Sequence, residues 1–256
     1  MIELGYSEIL WSLLLVVVAI ALTLWWKLPV QKDMALGSIR AFIQLIAVGY
    51  ALKYIFELES VWLMHLAMLI MTTVGAYTAS SKVKEVNGIF WIAFAAIGGG
   101  SAVTIGMLLL LKVITLEPRY VIPLAGMIIS NAMNASALTI NRLISDLKQN
   151  REAIESALAL GRNWREASRK FQKDAAVAGM LSMLNFLKTV GIVALPGAMT
   201  GMILAGAEPL DAILLQLVVA YMLLAAVTIS SIVTLELTVR RFFTPFHQLT
   251  LPRGRL

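Results

Sequence analysis

The sequence predicts an all-α protein that crosses a membrane about seven times. Hydrophobic residues make up 59% of the 256-residue chain, and its mean hydropathy is +0.83; a water-soluble domain of this length is less apolar. A helix of about 20 apolar residues crosses a bilayer. Stretches of that kind occur at 9–26, 36–56, 61–79, 89–111, 120–143, 177–206 and 212–237. The remainder is too short for a soluble domain, so we expect one transmembrane domain over residues 1–256.

Basic residues are concentrated at alternate connections between the predicted spans. Most of the 21 lysines and arginines lie between spans one and two, between spans three and four, in a charged loop at about residues 144–175 and in the C-terminal tail. An excess of basic residues marks the cytoplasmic side of a membrane, so the N-terminus is predicted outside and the C-terminus in the cytoplasm. This topology accounts for the net charge of +6, and we expect membrane lipid rather than nucleic acid as a partner.

The charged loop between spans five and six is predicted to form two helices with a sharp turn between them. Gly161 suits the left-handed conformation that ends a helix, and Asn163 followed by Glu166 is a start signal for the next helix. A solvated connector is the simpler interpretation of such a loop. Apolar residues nevertheless recur at helical spacing: Ile154, Ala157 and Leu158 before the turn, and Leu160, Trp164, Ala167 and Phe171 after it.

Span six carries an internal break. Residues 177–206 are too many for one straight crossing and too few for two crossings with a turn. Pro196 and Gly197 interrupt the helix, and Gly197, Gly201 and Ala205 form a face of small residues suited to close helix packing. Either the span has an ordinary proline kink, or it is a broken helix that gates a translocation path, where irregular backbone meets protein or water.

Polar residues within the spans are candidate pathway residues, because such residues are costly in a bilayer and are often functional. They are Arg40 and Gln44 in span two, Asn131 and Asn134 in span five, and Lys188 in span six. The structural alternatives are snorkelling of Arg40 to the interface and hydrogen bonding between helices by the asparagines. Cysteine is absent and no group of carboxylates and histidines stands out, so the metal-ligating residues, if any, stay unassigned.

The charged loop also carries a recognisable motif. Glu155, Ala157 and Gly161 fit the pattern Glu-x-Ala-x-x-x-Gly, and Trp164 and Phe171 follow closely. This pattern resembles the EAA loop of ABC-transporter permeases, the helix that docks into a groove on the cytoplasmic ATPase. The resemblance implies that these five residues couple the membrane helices to that ATPase.

Further motifs resemble FetB-type permeases over nearly the whole chain. They are Arg40 with Gln44 and Gly49, then 126–128, 131–133, 188–201 and 246–249. That family contains the membrane subunit of a bacterial ABC iron exporter and plant membrane subunits linked to aluminium tolerance. The resemblance implies a plasma-membrane permease (in bacteria, of the inner membrane) that works as a homodimer with a cytoplasmic ATPase subunit. Its cargo would be a metal ion or metal complex, with export of iron as the implied activity.

The chain contains no G-x-x-x-x-G-K-[ST] phosphate loop. ATP is therefore expected on the partner subunit, and we expect neither a cofactor nor enzymatic activity in this chain. The alternative is a secondary transporter of a metal or small solute driven by an ion gradient. It predicts internal repeats and buried carboxylates, and neither stands out. An intramembrane enzyme is disfavoured, because the two histidines, His65 and His247, have no evident nucleophile partner.

Overall fold

In the computed structural model, which describes residues 6–81, 83 and 86–250, the chain folds into α-helices joined by short turns. Helices pair their own backbone groups and are therefore suited to a bilayer. They are α1 (Tyr6–Trp25), α2 (Gln31–Leu58), α3 (Val61–Ser80), α4 (Ile89–Leu110), α5 (Pro118–Gln149), α6 (Arg151–Ala159), α7 (Trp164–Thr189), α8 (Gly197–Leu204) and α9 (Pro209–Val239), followed by a 3₁₀ turn at Arg240–Phe242. The predicted all-α polytopic membrane fold is confirmed.

Five helices of the described chain are long and apolar enough to cross a membrane. They are Gln31–Leu58, Val61–Ser80, Ile89–Leu110, Pro118–Gln149 and the segment Pro209–Phe242, with a shorter apolar helix at Trp11–Trp25. The predicted sixth span is not one continuous helix, because α7 ends at Thr189 and α8 begins only at Gly197. The count of seven crossings, their orientation and the single domain over residues 1–256 stay predictions.

The first compact unit runs to Ser60 and contains α1 and α2. At the connection between them, Gln31 Nε2 donates a hydrogen bond to the carbonyl oxygen of Thr23 over 3.2 Å. None of the residues of α2, a fully described helix, is buried. A helix that buries no face within its own unit presents its apolar residues to lipid or to other protein.

The second compact unit begins at Val61 and is built around α5, which packs against α3, α4, α7 and α9. Small residues bring the helix backbones close together, as is common in membrane bundles. A Cβ atom added to Gly179 of α7 would overlap the side chain of Thr139 on α5 and would lie 2.8 Å from the carbonyl oxygen of Ala135. Similarly, a Cβ at Gly100 of α4 would lie 2.5 Å from Ser230 Oγ on α9.

One end of this second unit is held by a cluster of buried apolar residues, here called the loop-end cluster. It joins the α3–α4 connection, the last turns of α5, α6, α7 and the end of α9. Its members are Val83, Val86, Ile89, Ile92, Ile140, Leu143, Ile144, Leu147, Ile154, Ala175, Leu235, Val239, Phe242 and Phe243. The α3–α4 connection, the charged loop and the tail therefore lie at one end of the unit, as the charge pattern predicts. Lys82, Lys84, Arg253 and Arg255, which contribute to that pattern, lie outside the described residues.

Candidate functional site

The turn between α6 and α7 has the predicted geometry. Gly161 has a φ of +86°, and the Arg162 and Gly161 amides donate to the carbonyl oxygens of Ala157 and Leu158 over 3.2 and 3.0 Å. These two bonds form a Schellman motif, which favours glycine at the left-handed position. Asn163 Oδ1 then accepts a hydrogen bond of 2.9 Å from the amide of Glu166, which starts α7. The predicted helix–turn–helix is confirmed, and it follows from local signals alone.

The apolar face of the loop packs inside the protein. Ile154 is fully buried, and Trp164, Ala167 and Phe171 pack against the loop-end cluster. The ring of Trp164 stacks on that of Phe243, with centroids 5.5 Å apart and planes at 24°. These contacts anchor the start of α7 to the end of α9 and leave Trp164, Ala167 and Phe171 half-buried.

Leu160 departs from the predicted apolar face. It is the C-cap residue of α6, and 84% of its surface is exposed. Its exposed neighbours complete a surface here called the loop tip, which consists of Glu155, Ser156, Ala159, Leu160, Gly161 and Arg162. On this surface Arg151 Nε donates to Glu155 Oε1 over 2.7 Å, a surface ion pair worth about 0.3–0.5 kcal/mol. Ala157 is only half-buried.

Helix α7 runs from the loop to the break in span six. Its 26 residues correspond to about 39 Å at 1.5 Å per residue. After Thr189 the backbone turns at Gly191, which has a φ of +82°, and the Thr189 carbonyl oxygen accepts from the Ile192, Val193 and Ala194 amides. The break therefore begins six residues before Pro196, at Val190, the C-cap residue of α7.

Pro196 and Gly197 mark the point where the helix restarts. Pro196 is the N-cap residue of α8, and Gly197 is its first residue. Proline suits the start of a helix, because its missing N–H would be unpaired there in any case. A Cβ atom at Gly197 or Gly201 would meet nothing within 4 Å, so the described part of the chain does not make the close packing predicted for these glycines.

A cavity of about 530 Å³ lies between α5, α7, α9 and the start of α8. Its walls are Met127, Ser130, Asn131, Ser182, Met183, Phe186, Pro196, Gly197, Ala198, Gln216, Val219 and Leu223. Asn131 Nδ2 donates to the carbonyl oxygen of Met127 over 2.8 Å. A second, smaller cavity of about 240 Å³ is lined by Val190, Gly191, Leu195, Met199, Ile213, Gln216, Leu217 and Ala220.

The structure brings some of the predicted pathway and gate residues together and leaves others apart. Asn131, Pro196 and Gly197 share the larger cavity. Asn134 on α5 and Lys188 in the last turn of α7 are exposed and lie outside its lining. Gly201 is exposed on α8, whereas Arg40 and Gln44 are exposed on α2 of the first unit.

Sequence reasoning missed Gln216, which lines both cavities. It lies on α9 in the most hydrophobic of the candidate spans and is only 6% exposed. A lone amide in such a span is the signal that could have identified it, since intramembrane polar residues are uncommon. Ser130 and Ser182, which also line the larger cavity, give no comparable signal because hydroxyls are ordinary in membrane helices.

The fold and the cavity define a polytopic all-α membrane protein with a mostly apolar cavity, lined by a few amide and hydroxyl groups, beside a broken helix. The chain belongs to the family described as "Uncharacterised protein family (UPF0014)", which matches residues 6–243. It is 40% identical over 238 residues to "Protein ALUMINUM SENSITIVE 3" of Arabidopsis thaliana, covering 93% of this chain and 87% of the relative. It is 41% identical over 234 residues to "UPF0014 membrane protein STAR2" of Oryza sativa subsp. japonica, covering 91% and 82%.

A bacterial relative carries a functional name. The chain is 39% identical over 240 residues to the "Probable iron export permease protein FetB" of Escherichia coli (strain K12), covering 94% of this chain and 93% of the relative. No solved structure shows a significant match. The similarity and the apolar helices together support a multi-pass membrane location, consistent with the bacterial inner membrane, and a membrane permease role.

Proposed function

We propose that this chain is the membrane-spanning permease subunit of an ABC transporter, driven by ATP that a separate cytoplasmic subunit hydrolyses. The observation that carries the proposal is the continuity of α7. One end of this helix begins at the loop tip, and its other end leads into the Val190–Pro196 segment beside the cavities. A movement imposed on the tip therefore reaches the cavity through a single element.

In this proposal the loop tip docks on the ATPase, and the inward-facing residues hold the loop together. Leu160 supplies the apolar contact and Glu155 the charge that orients it. The left-handed Gly161 turn fixes the angle between α6 and α7, while Trp164 and Phe171 tie α7 to the loop-end cluster. Closure of the ATPase would tilt α7 as a rigid body, and the break at Val190–Pro196 would open or close access to the cavity.

The exposed polar residues of the spans suggest how two copies would assemble. Asn134 on α5 and Lys188 on α7 are exposed, and contact with lipid would leave them without polar partners. We infer that these two residues face a second copy of the chain across a water-filled path, in a homodimer. Arg40 and Gln44 stay predicted pathway residues of the first unit.

From the similarity to known proteins, we propose that the cargo is iron and that it is moved outward. The similarity to a relative named as an iron export permease supports this assignment. Among the described residues, no group of three or more His, Cys, Asp or Glu side chains could hold a metal ion. The cargo would therefore be held by weaker ligands or carried as a complex.

The decisive experiment is reconstitution of this chain in proteoliposomes with the ATPase that co-purifies with it. We expect ATP-dependent iron movement and cargo-stimulated ATP hydrolysis, both reduced by Glu155→Arg, with Glu152→Arg on the same exposed helix as the control. If no ATPase co-purifies and an ion gradient alone drives transport, the chain is a secondary transporter. If the ATPase is active but iron moves in neither direction, the iron assignment is wrong.

A further inference from the structure

We propose that Gln216 binds the cargo, and that it recognises the ligand shell of a metal complex rather than a bare metal ion. This inference rests on the permease function proposed above and deepens it by naming a binding residue and the chemical class of its ligand.

The side-chain carbonyl of Gln216 lacks a partner. Its Oε1 atom is buried and accepts no hydrogen bond within the described part of the chain. The large majority of buried side-chain polar atoms in native proteins have a partner, either in the protein or in ordered water. Because this unpartnered acceptor belongs to a residue that lines both cavities, its hydrogen-bonding capacity is available to a donor that arrives with the ligand.

Gln216 also occupies a distinctive position between the two cavities. It is the residue that their linings share: Asn131 and Pro196 line the larger cavity with it, and Gly191 and Leu195 line the smaller one. Both cavities border the Val190–Pro196 break. A solute that moves between them passes the Gln216 amide, at the place where a tilt of α7 would change access.

The chemistry of the larger cavity argues against a bare metal ion. Its polar side chains are amides, hydroxyls and thioethers, and its lining contains no Asp, Glu, His or Cys. Iron ions stripped of water need carboxylate, imidazole or thiolate ligands to offset their lost hydration. The last turn of α7, at Phe186, and the start of α8, at Gly197, both reach this lining, and the dipoles of the two helices have opposite signs there. The helix ends thus supply no net compensating charge.

A complexed or hydrated ion fits the same walls. Its coordinated ligands carry O–H or N–H groups, which donate to amide and hydroxyl oxygens such as those of Gln216, Ser130 and Ser182. Six waters at about 30 Å³ each occupy roughly 180 Å³, which the cavity of about 530 Å³ accommodates. The metal keeps its own shell, and the protein binds that shell from outside.

The test compares Gln216→Leu with Thr238→Val. Thr238 lies on the same helix, and its buried hydroxyl also has no partner among the described residues, but it lines neither cavity. Both substitutions remove an unpaired buried polar group, so both should leave the melting temperature in detergent unchanged or raised. In proteoliposomes with the ATPase partner, only Gln216→Leu should lower the transport of ferrous iron, by about ten-fold or more. If Gln216→Leu fails to fold, Gln216→Met, which keeps the chain length, takes its place.

Hexamminecobalt(III) tests the ligand class, because its ammonia ligands donate hydrogen bonds and do not exchange during an assay. It should compete with ferrous iron in the wild type and in Thr238→Val, and compete less well in Gln216→Leu. Normal iron transport by Gln216→Leu would overturn the binding role. A loss of transport without competition by hexamminecobalt would overturn recognition of the shell. A wild type that moves no iron would instead count against the proposed function itself.

Discussion

The two ends of α7 are built in opposite ways. At the loop end, Trp164 stacks on Phe243 and packs against the buried loop-end cluster. At the other end, the helix stops at Thr189, the backbone turns at Gly191, and both cavities are lined by Gln216, whose side-chain oxygen has no partner among the described residues. Tight packing resists deformation, whereas irregular backbone beside a cavity has more freedom to move. The contrast suggests that α7 is firmly held where force would enter and can adjust where cargo would pass.

The most damaging change should be one that separates α7 from α5 between these two ends. Gly179→Ala places a Cβ atom against Thr139 and 2.8 Å from the backbone oxygen of Ala135, and backbone cannot yield as a flexible side chain can. We expect a loss of about 3 kcal/mol or more in stability, measured as the apparent melting temperature in detergent. Gly126→Ala in α5, where nothing lies within 4 Å of the added atom, is the control and should be neutral or stabilising. Equal effects of both changes would refute the close contact.

The second prediction separates the inward and outward faces of the loop. Trp164→Ala removes the stacked ring and should destabilise the protein by about 2–3 kcal/mol. Leu160→Ala, at a residue that is 84% exposed, should change stability by less than about 0.5 kcal/mol but weaken co-purification of the ATPase. Thermal unfolding and pull-down of the same samples measure both effects. If Leu160→Ala leaves ATPase binding intact, the loop tip is not the docking surface.

The third prediction tests the turn that joins the two helices of the loop. Gly161→Val forces a β-branched residue to a φ of +86°, at a cost of about 1–2 kcal/mol. Gly161→Asn should be tolerated, because asparagine adopts this conformation more readily. We expect cargo-stimulated ATP hydrolysis to fall in the valine variant and to stay near the wild-type rate in the asparagine variant. Normal stimulation with valine would show that the angle at Gly161 does not matter for coupling.

The last prediction concerns orientation and should leave stability almost unchanged. The chain has no cysteine, so single cysteines at the exposed positions Glu208 and Arg165 can be labelled without background. An impermeant maleimide added to intact cells should label Glu208→Cys but not Arg165→Cys, which should react only after permeabilisation. Labelling of Arg165→Cys from outside would place the loop on the wrong side for a cytoplasmic ATPase.

Local sequence signals determined the membrane class, most helix positions and the geometry of the loop turn. The apolar spans can be recognised from composition, because a helix that crosses a bilayer in contact with lipid needs about 20 apolar residues. Gly161, Asn163 and Glu166 act on backbone groups within a few residues, so their effect can be read without knowing the rest of the fold. The break in span six was also predicted. The sequence located only the end of the break, because Pro196 marks the residue where α8 begins.

The tertiary structure alone decided which distant segment each of these elements packs against. Helical spacing grouped Leu160 with Trp164, but their environments differ because Phe243, far along the chain, covers only the tryptophan. The start of the break at Val190 depends on a turn at Gly191 and on the packing of α7 and α8 against α9. Gln216 became a candidate only when α5, α7 and α9 came together to form a cavity beside this residue, whose side-chain oxygen has no partner within the described chain. These are contacts between distant segments, and a pattern that repeats along one helix carries no information about which distant segment will cover it.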